Sequence, residues 1–369
     1  MTQFYGKTKI CYGEDALEAL EHLPAERAYV VTDAFMVKSG LIDRVISHLD
    51  RGGIAYGIFD AVEPDPSLET VIKGTLEFLR SQSNILIALG GGSVIDAAKA
   101  ISFFAFKAGG KESKPPLIAI PTTSGTGAEV TAISVVTDKA NGVKIPLSDE
   151  MLIPDAAILD ARFTRTVPAS VTAATGMDVL THAIEAYTSR QANAFTSIYA
   201  EHAIRYVNTY LLRAYHCMDD MEAREMLLLA SCMAGMAFNN SGLGITHSLA
   251  HSLGGLFHIP HGLANAVMLP HVIRFNSFDA GIKYREIAGF MGLPCSSVSE
   301  GTSSLLHAVM ELNEAMGIPE SISALNVDKD SFTSHLDSMA ASAMEDICTT
   351  GNPRSPSRTD LKTILEQAW

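Results

Sequence analysis

Asn84–Phe106 reads NILIALGGGSVIDAAKAISFFAF. An apolar run leads into three glycines and a serine, and an Ala- and Phe-rich segment follows. That order predicts a buried strand, a tight turn and a helix. The same reading spreads outward. AYVVTD (Ala28–Asp33), AYGIFD (Ala55–Asp60), PLIAIP (Pro116–Pro121) and AAILD (Ala156–Asp160) are short apolar runs of the buried-strand type. Helix-like stretches lie between them, one to about Leu49 and one from about Ser67 to Arg80. Strands alternating with helices imply a parallel sheet covered on both faces. After about Arg162 the β-branched runs stop, and EHAIRYVNTYLLRAYHCM and REMLLLASCMAGMAF read as helices. The expectation is an α/β domain over residues 1–163 and an all-helical domain over 164–369, with the boundary falling within Phe163 to Pro168.

Composition narrows the class. The chain has 369 residues, 47% hydrophobic and 18% charged, enough for a large core split between two domains. Its 27 basic and 41 acidic side chains give a net charge of -14, which argues against a nucleic-acid partner. Cys11, Cys217, Cys232, Cys295 and Cys348 are odd in number and form no CxxC, which fits reduced thiols in a cytoplasm. The N-terminus MTQFYGKTKI has no apolar signal core, and no uninterrupted apolar run is long enough for a bilayer, so no membrane association is expected.

The glycine turn is the first candidate site. Gly90, Gly91, Gly92 and Ser93 lie between a strand and a helix, where bare backbone N–H groups and a helix N-terminus suit a phosphate. The pattern is not GxGxxG, and Ser93 with Asp96 also matches a capping box, S-x-x-D. Thr122, Thr123, Ser124, Gly125, Thr126 and Gly127 follow the next strand, at the edge where open α/β sheets bind ligands. Asp33 closes the first strand, where a carboxylate can accept from a ribose diol and repel a 2′-phosphate, although Asp after a strand is also a common turn residue.

The second candidate site is THSLAHSLGGLFHIPHGLANAVMLPHVIRFN, Thr246–Asn276, which holds five of the twelve histidines: His247, His251, His258, His261 and His271. His247 and His251 are four apart and share a helix face. Upstream, ATGMDVLTHAIEAYTS places Asp178 and His182 four apart, with Glu185 three further on as a spare candidate. One carboxylate with several imidazoles suits zinc, ferrous iron or nickel, and spacing does not choose among them.

GGGSVIDAAK, PTTSGTGAEVT, TGMDVLTHAIEAY and HSLAHSLGGLFHIPHGLANAVMLPHV, in this order, resemble the iron-containing (group III) alcohol dehydrogenases over essentially the whole chain. The resemblance implies an N-terminal dinucleotide-binding domain and a helical domain with metal in the cleft. Carried over by motif position, it implies Asp178, His182, His247 and His261 as ligands, Fe(2+) or alternatively Zn(2+) as metal, and NAD(H) as cosubstrate. Spacing alone favours the His247/His251 pair; the resemblance moves the fourth ligand to His261 and leaves His251 as a candidate for proton transfer. It also puts Gly90, Gly91, Gly92, Ser93, Thr122, Thr123, Ser124, Thr126 and Lys144 near the nucleotide; Asp33, from its place at the strand end, and Asp96, from the glycine-turn segment, are expected there too. GNPRSPSRTDLKTILEQAW and HVIRFN resemble the propanol dehydrogenase branch of propanediol utilisation. That branch implies short aldehyde and alcohol substrates, a homodimer or larger homo-oligomer, and association with a bacterial microcompartment. Two other readings stand beside it: a polyol dehydrogenase or metal-dependent lyase on the same scaffold, and a structural relative that keeps the motifs without turnover.

Overall fold

Residues 3–109, 113–140 and 143–369 are described by the computed structural model. They divide into two units, one of residues 6–166 and one of residues 3–5 with 167–369.

In the first unit, alternate residues of the central strands go to opposite faces of one sheet. Its strands are β1 (Lys9–Tyr12), β2 (Arg27–Thr32), β3 (Ala55–Phe59), β4 (Ile85–Gly90), β5 (Leu117–Pro121) and a later strand, β8 (Ala156–Leu159). All pair in parallel, in the order β1-β8-β5-β4-β2-β3. Tyr29, Val31, Leu86, Ala88, Leu117 and Ala119 pack on one face, under α3 (Leu68–Arg80) and α4 (Gly92–Gly109). Their neighbours Ala28, Val30, Ile87, Leu89, Ile118 and Ile120 pack on the other, under α2 (Ile42–Arg51) and the turn of helix Ala16–His22. Strands buried on both faces have no polar side to show, which is why they read as continuous apolar runs.

Three elements depart from the sequence reading. β1 has only four half-exposed residues at the sheet edge, too few and too polar to signal a strand. The ribbon of β6 (Ile133–Asp138) and β7 (Val143–Ser148) is antiparallel and stands outside the main sheet. The helix expected to run to about Leu49 is two helices, α1 (Ala34–Lys38) and α2, separated at Gly40, whose φ of 73° lies in the left-handed region.

The second unit is helical throughout: α5 (Ala169–Thr188), α6 (Ala194–His216), α7 (Met221–Ser241), α8 (Ile245–Phe257), α9 (His261–Phe290), α10 (Val298–Ala315), α11 (Lys329–Glu345) and α12 (Arg358–Gln367). Short 3-10 turns Ile322–Leu325 and Ile347–Gly351 lie beside α11. Phe257 packs partly buried against this unit's core. α5 is buried nearly all round, so its polar Asp178, His182 and Glu185 face the interior of the unit. Charged groups are rarely buried unless they are paired or coordinate a metal.

Candidate metal centre and nucleotide turn

Three helices converge on Asp178. The helical spacing of α5 stacks Asp178, His182 and Glu185 on one side. The N-terminus of α9 lies so close to α5 that a Cβ on Gly262 would collide with the Ala174 carbonyl, and this contact brings His261 to Asp178. α8 is held at its own N-terminus by Glu185, which accepts from the Gly244 N–H at 2.9 Å and the Thr246 N–H at 2.7 Å. The Glu185 carboxylate thus sits where a helix favours negative charge.

Asp178, His182, His247 and His261 each offer a donor atom, and these atoms lie within 4.8 Å of one another. Asp178 Oδ1 is 3.7 Å from His247 Nε2 and 3.5 Å from His261 Nε2. The His182 and His247 rings stack 4.5 Å apart, and Phe238 covers the other face of His182 at 4.6 Å. The buried His182 Nδ1 and His247 Nε2 have no hydrogen-bond partner. Buried polar atoms are seldom left unpaired, and His247 Nε2, 3.7 Å from Asp178 Oδ1, fits a metal ion held among the four donors. A second layer fixes the donors. Glu185 Oε2 is 2.7 Å from His247 Nδ1, which directs Nε2 inward. Asn265 donates to Asp178 Oδ1 at 2.7 Å and lies 3.1 Å from His261 Nε2.

Electrostatics agree with a cation site. Burial opposes charge on Asp178, but the surrounding imidazoles overcome it and hold the carboxyl far below the usual range. Burial pushes His182 down to about 4 and His261 down to about 3, against the pull of Asp178. His247 goes the other way, up to about 9: burial pushes it down, but the nearby carboxylates of Asp178 and Glu185 outweigh burial.

His251 is placed differently. It lies one turn after His247 on α8, 44% exposed, with its ring stacked 5.2 Å from that of His261. Its Nδ1 is 2.7 Å from Asp346 Oδ2, and it is not among the four converging donors. His258 is the left-handed C-cap of α8, and His271 lies further along α9; neither joins the cluster.

The glycine turn is built from backbone. A Cβ on Gly90 would meet Val94 at 2.5 Å, and one on Gly92 would meet Thr126 Cγ2 at 2.7 Å. Gly91 sits against Thr123, so the two loops lie side by side at the ends of β4 and β5. The Thr122 N–H donates to the Gly90 carbonyl at 3.1 Å, closing them together. Ser93 and Asp96 do not form the capping box that their spacing matches. Ser93 Oγ accepts instead from the Asp65 N–H at 3.3 Å, and Asp96 Oδ2 accepts from the Val135 N–H at 3.0 Å. α4 begins at Gly92, so Ser93 is already inside the helix, and the Asp96 carboxylate turns toward β6. Lys144 pairs with Asp65 at 2.7 Å on the surface of this unit. Asp33 Oδ1 accepts from the Phe35 and Met36 N–H groups at 2.8 and 3.0 Å and caps α1. Behind the turn lie Asp96, Lys99 and Glu129. Burial raises Asp96 to about 6 and Glu129 to about 7, and lowers Lys99 to about 8.

Comparison with known proteins agrees with this architecture. Residues 7–161 match the family described as iron-containing alcohol dehydrogenase, and residues 172–369 match the Fe-containing alcohol dehydrogenase family, C-terminal. The chain belongs to the iron-containing alcohol dehydrogenases. It is 40% identical to the NADPH-dependent butanol dehydrogenase of Clostridium saccharobutylicum, over 99% of this chain and 97% of that one. It is 38% identical to a 1-propanol dehydrogenase of Citrobacter freundii over 100% of both chains. The solved structure of a 1,3-propanediol oxidoreductase superposes over 100% of both chains with a TM-score of 0.94 at 35% identity. The six-stranded parallel sheet and helical second unit are those of iron-containing alcohol dehydrogenases, and the chain is an oxidoreductase of that class. Among the described residues no single helix is long and apolar enough to cross a membrane.

Several participants were not visible in the sequence of this iron-containing alcohol dehydrogenase. Glu185, read as a spare ligand, supports His247 instead. Asn265 is one turn beyond His261, a spacing that could have pointed to it. Asp65 and Asp346 are far in sequence from the residues they hold, and no local signal marks them.

Proposed function

We propose that this chain interconverts short-chain aldehydes and primary alcohols with NAD(H), using one divalent metal held by Asp178, His182, His247 and His261. The observation that carries the reading is the convergence of four donor atoms within 4.8 Å of one another, with His247 Nε2 buried and partnerless 3.7 Å from Asp178 Oδ1. When bound, the metal supplies Lewis acidity toward the substrate oxygen and the dinucleotide supplies or accepts hydride. The chain's own part is to hold and orient. Glu185 and Asn265 fix the donors, and Phe238 screens His182 from water. His251, outside the ligand set and oriented by Asp346, is the group to pass a proton to or from the substrate. The Gly90–Ser93 turn with Thr122, Thr123, Ser124 and Thr126 receives the pyrophosphate, and Asp33 faces the ribose. Lys144 lies near the nucleotide. Asp96, tied to Val135, acts by packing behind the turn.

Fe(2+) is proposed as the native metal over Zn(2+), in keeping with the family. A homo-oligomer, and a place in the cytoplasm or inside a bacterial microcompartment, belong to the same proposal and rest on family resemblance. The test is loss of NADH absorbance on adding propionaldehyde or acetaldehyde, after loading with ferrous iron or with zinc under anaerobic conditions. Turnover with iron is expected. Failure with every short aldehyde under both metals would favour the reading as a structural relative.

A further inference from the structure

His251, Asp346 and Cys348 form a second group of donors. His251 is on α8, Asp346 is the N-cap of the turn Ile347–Gly351, and Cys348 is inside that turn. One nitrogen, one carboxylate oxygen and one sulfur lie within 4.8 Å of one another. The carboxylate is fixed at both oxygens: Oδ1 accepts from the Cys348 N–H at 2.8 Å, and Oδ2 is 2.7 Å from His251 Nδ1. Burial and the nearby charges of Asp346 and Glu185 hold the Cys348 thiol well above its usual range.

We propose that His251, Asp346 and Cys348 form a second divalent-cation site, of the zinc class, separate from the four-residue centre and inhibitory when filled. A mixed N/O/S donor set selects borderline-soft ions, and three protein donors leave a position for water. Binding releases one proton, from the thiol to solvent. The imidazole binds as the neutral ring, with its proton on the nitrogen that does not take the ion. The carboxylate is already ionised, and no electron moves. A filled site removes His251 from proton transfer; the inhibitory effect rests on the function proposed above, whereas binding does not.

The four-residue centre contains no sulfur, so a sulfur-to-cobalt charge-transfer band in the near ultraviolet reports the second site alone. Protein loaded with one equivalent of Co(II) is titrated with more. The band should grow with the second equivalent while aldehyde reduction falls in parallel, and added zinc should erase the band without restoring turnover. Cys348→Ser should abolish the band and weaken the second equivalent by about tenfold or more. Cys217→Ser, at an exposed cysteine, should change neither. His251→Gln gives a second reading of the same loss if the serine variant does not fold. A single equivalent without a band, or a band that survives Cys348→Ser, overturns the site. Band formation with undiminished turnover overturns the inhibitory role, and absence of turnover with any metal fails the function while the band still decides the site.

Discussion

The glycine turn and the candidate metal centre are built in opposite ways. At Gly90–Ser93 the useful groups are backbone N–H groups, and the side chains are absent because Val94 and Thr126 occupy the space they would need. At Asp178 every useful group is a side-chain atom, and the backbone only brings three helices together. A backbone site tolerates change in its neighbours but not in its glycines. A side-chain site fails with the loss of one donor, and its geometry depends on residues that never touch the ion.

The sharpest break in this comparison is His261→Ala. Metal analysis should show marked loss of metal, with activity down about a thousandfold, the scale of several kcal/mol of Lewis-acid stabilisation. His258→Ala, at the C-cap of α8, should keep both; the reverse pattern would refute the ligand set. His251→Gln comes next. Its metal content should be full and turnover roughly 10²-fold lower, the low end for acid–base groups. Lost metal would make His251 a ligand. At the turn, Gly92→Ala pushes a methyl into Thr126 and should raise KM for NADH by about tenfold without touching metal content, since overpacking costs about 1–3 kcal/mol. Asp33→Asn keeps a capping side chain on α1 and removes the charge. The NADPH-to-NADH preference should rise by up to about tenfold through lost repulsion, and an unchanged ratio would place selectivity elsewhere.

The smallest effect separates packing from binding. Glu129 is buried with Oε1 unpartnered, and its folded-state value is raised from 4.5 to about 7. Between those pH values the folded chain holds a proton that the unfolded chain has released, so stability is lost as pH rises through that window. Glu129→Gln should therefore be more stable than the parent at pH 8, by up to about 3 kcal/mol with a higher unfolding temperature, and equally stable near pH 4.5. A difference independent of pH would show that shape rather than charge is responsible.

Much of the fold could be read from the sequence because burial on both faces leaves strands such as LIAIP uniformly apolar. β1 could not be, since an edge strand of four residues carries no such pattern. The same division runs through the sites. The residues of the metal cluster advertise themselves by type and by i, i+4 spacing. Choosing between His251 and His261 needs the approach of α9 to α5, which is encoded in a glycine contact with Ala174 and not in any histidine spacing. Asp96 matched a motif but faces β6, because α4 starts one residue before Ser93 and the cap position has already passed.

Glu185 has a consequence beyond orienting one imidazole. Because it ties α5 to the first turn of α8 through two backbone amides and His247, the pocket's shape is set by the polypeptide itself. An ion bound there would enter a finished receptacle instead of directing its assembly. Which metal the protein carries in a cell becomes a question of the exchangeable metal pool and of the lifetime of each bound ion.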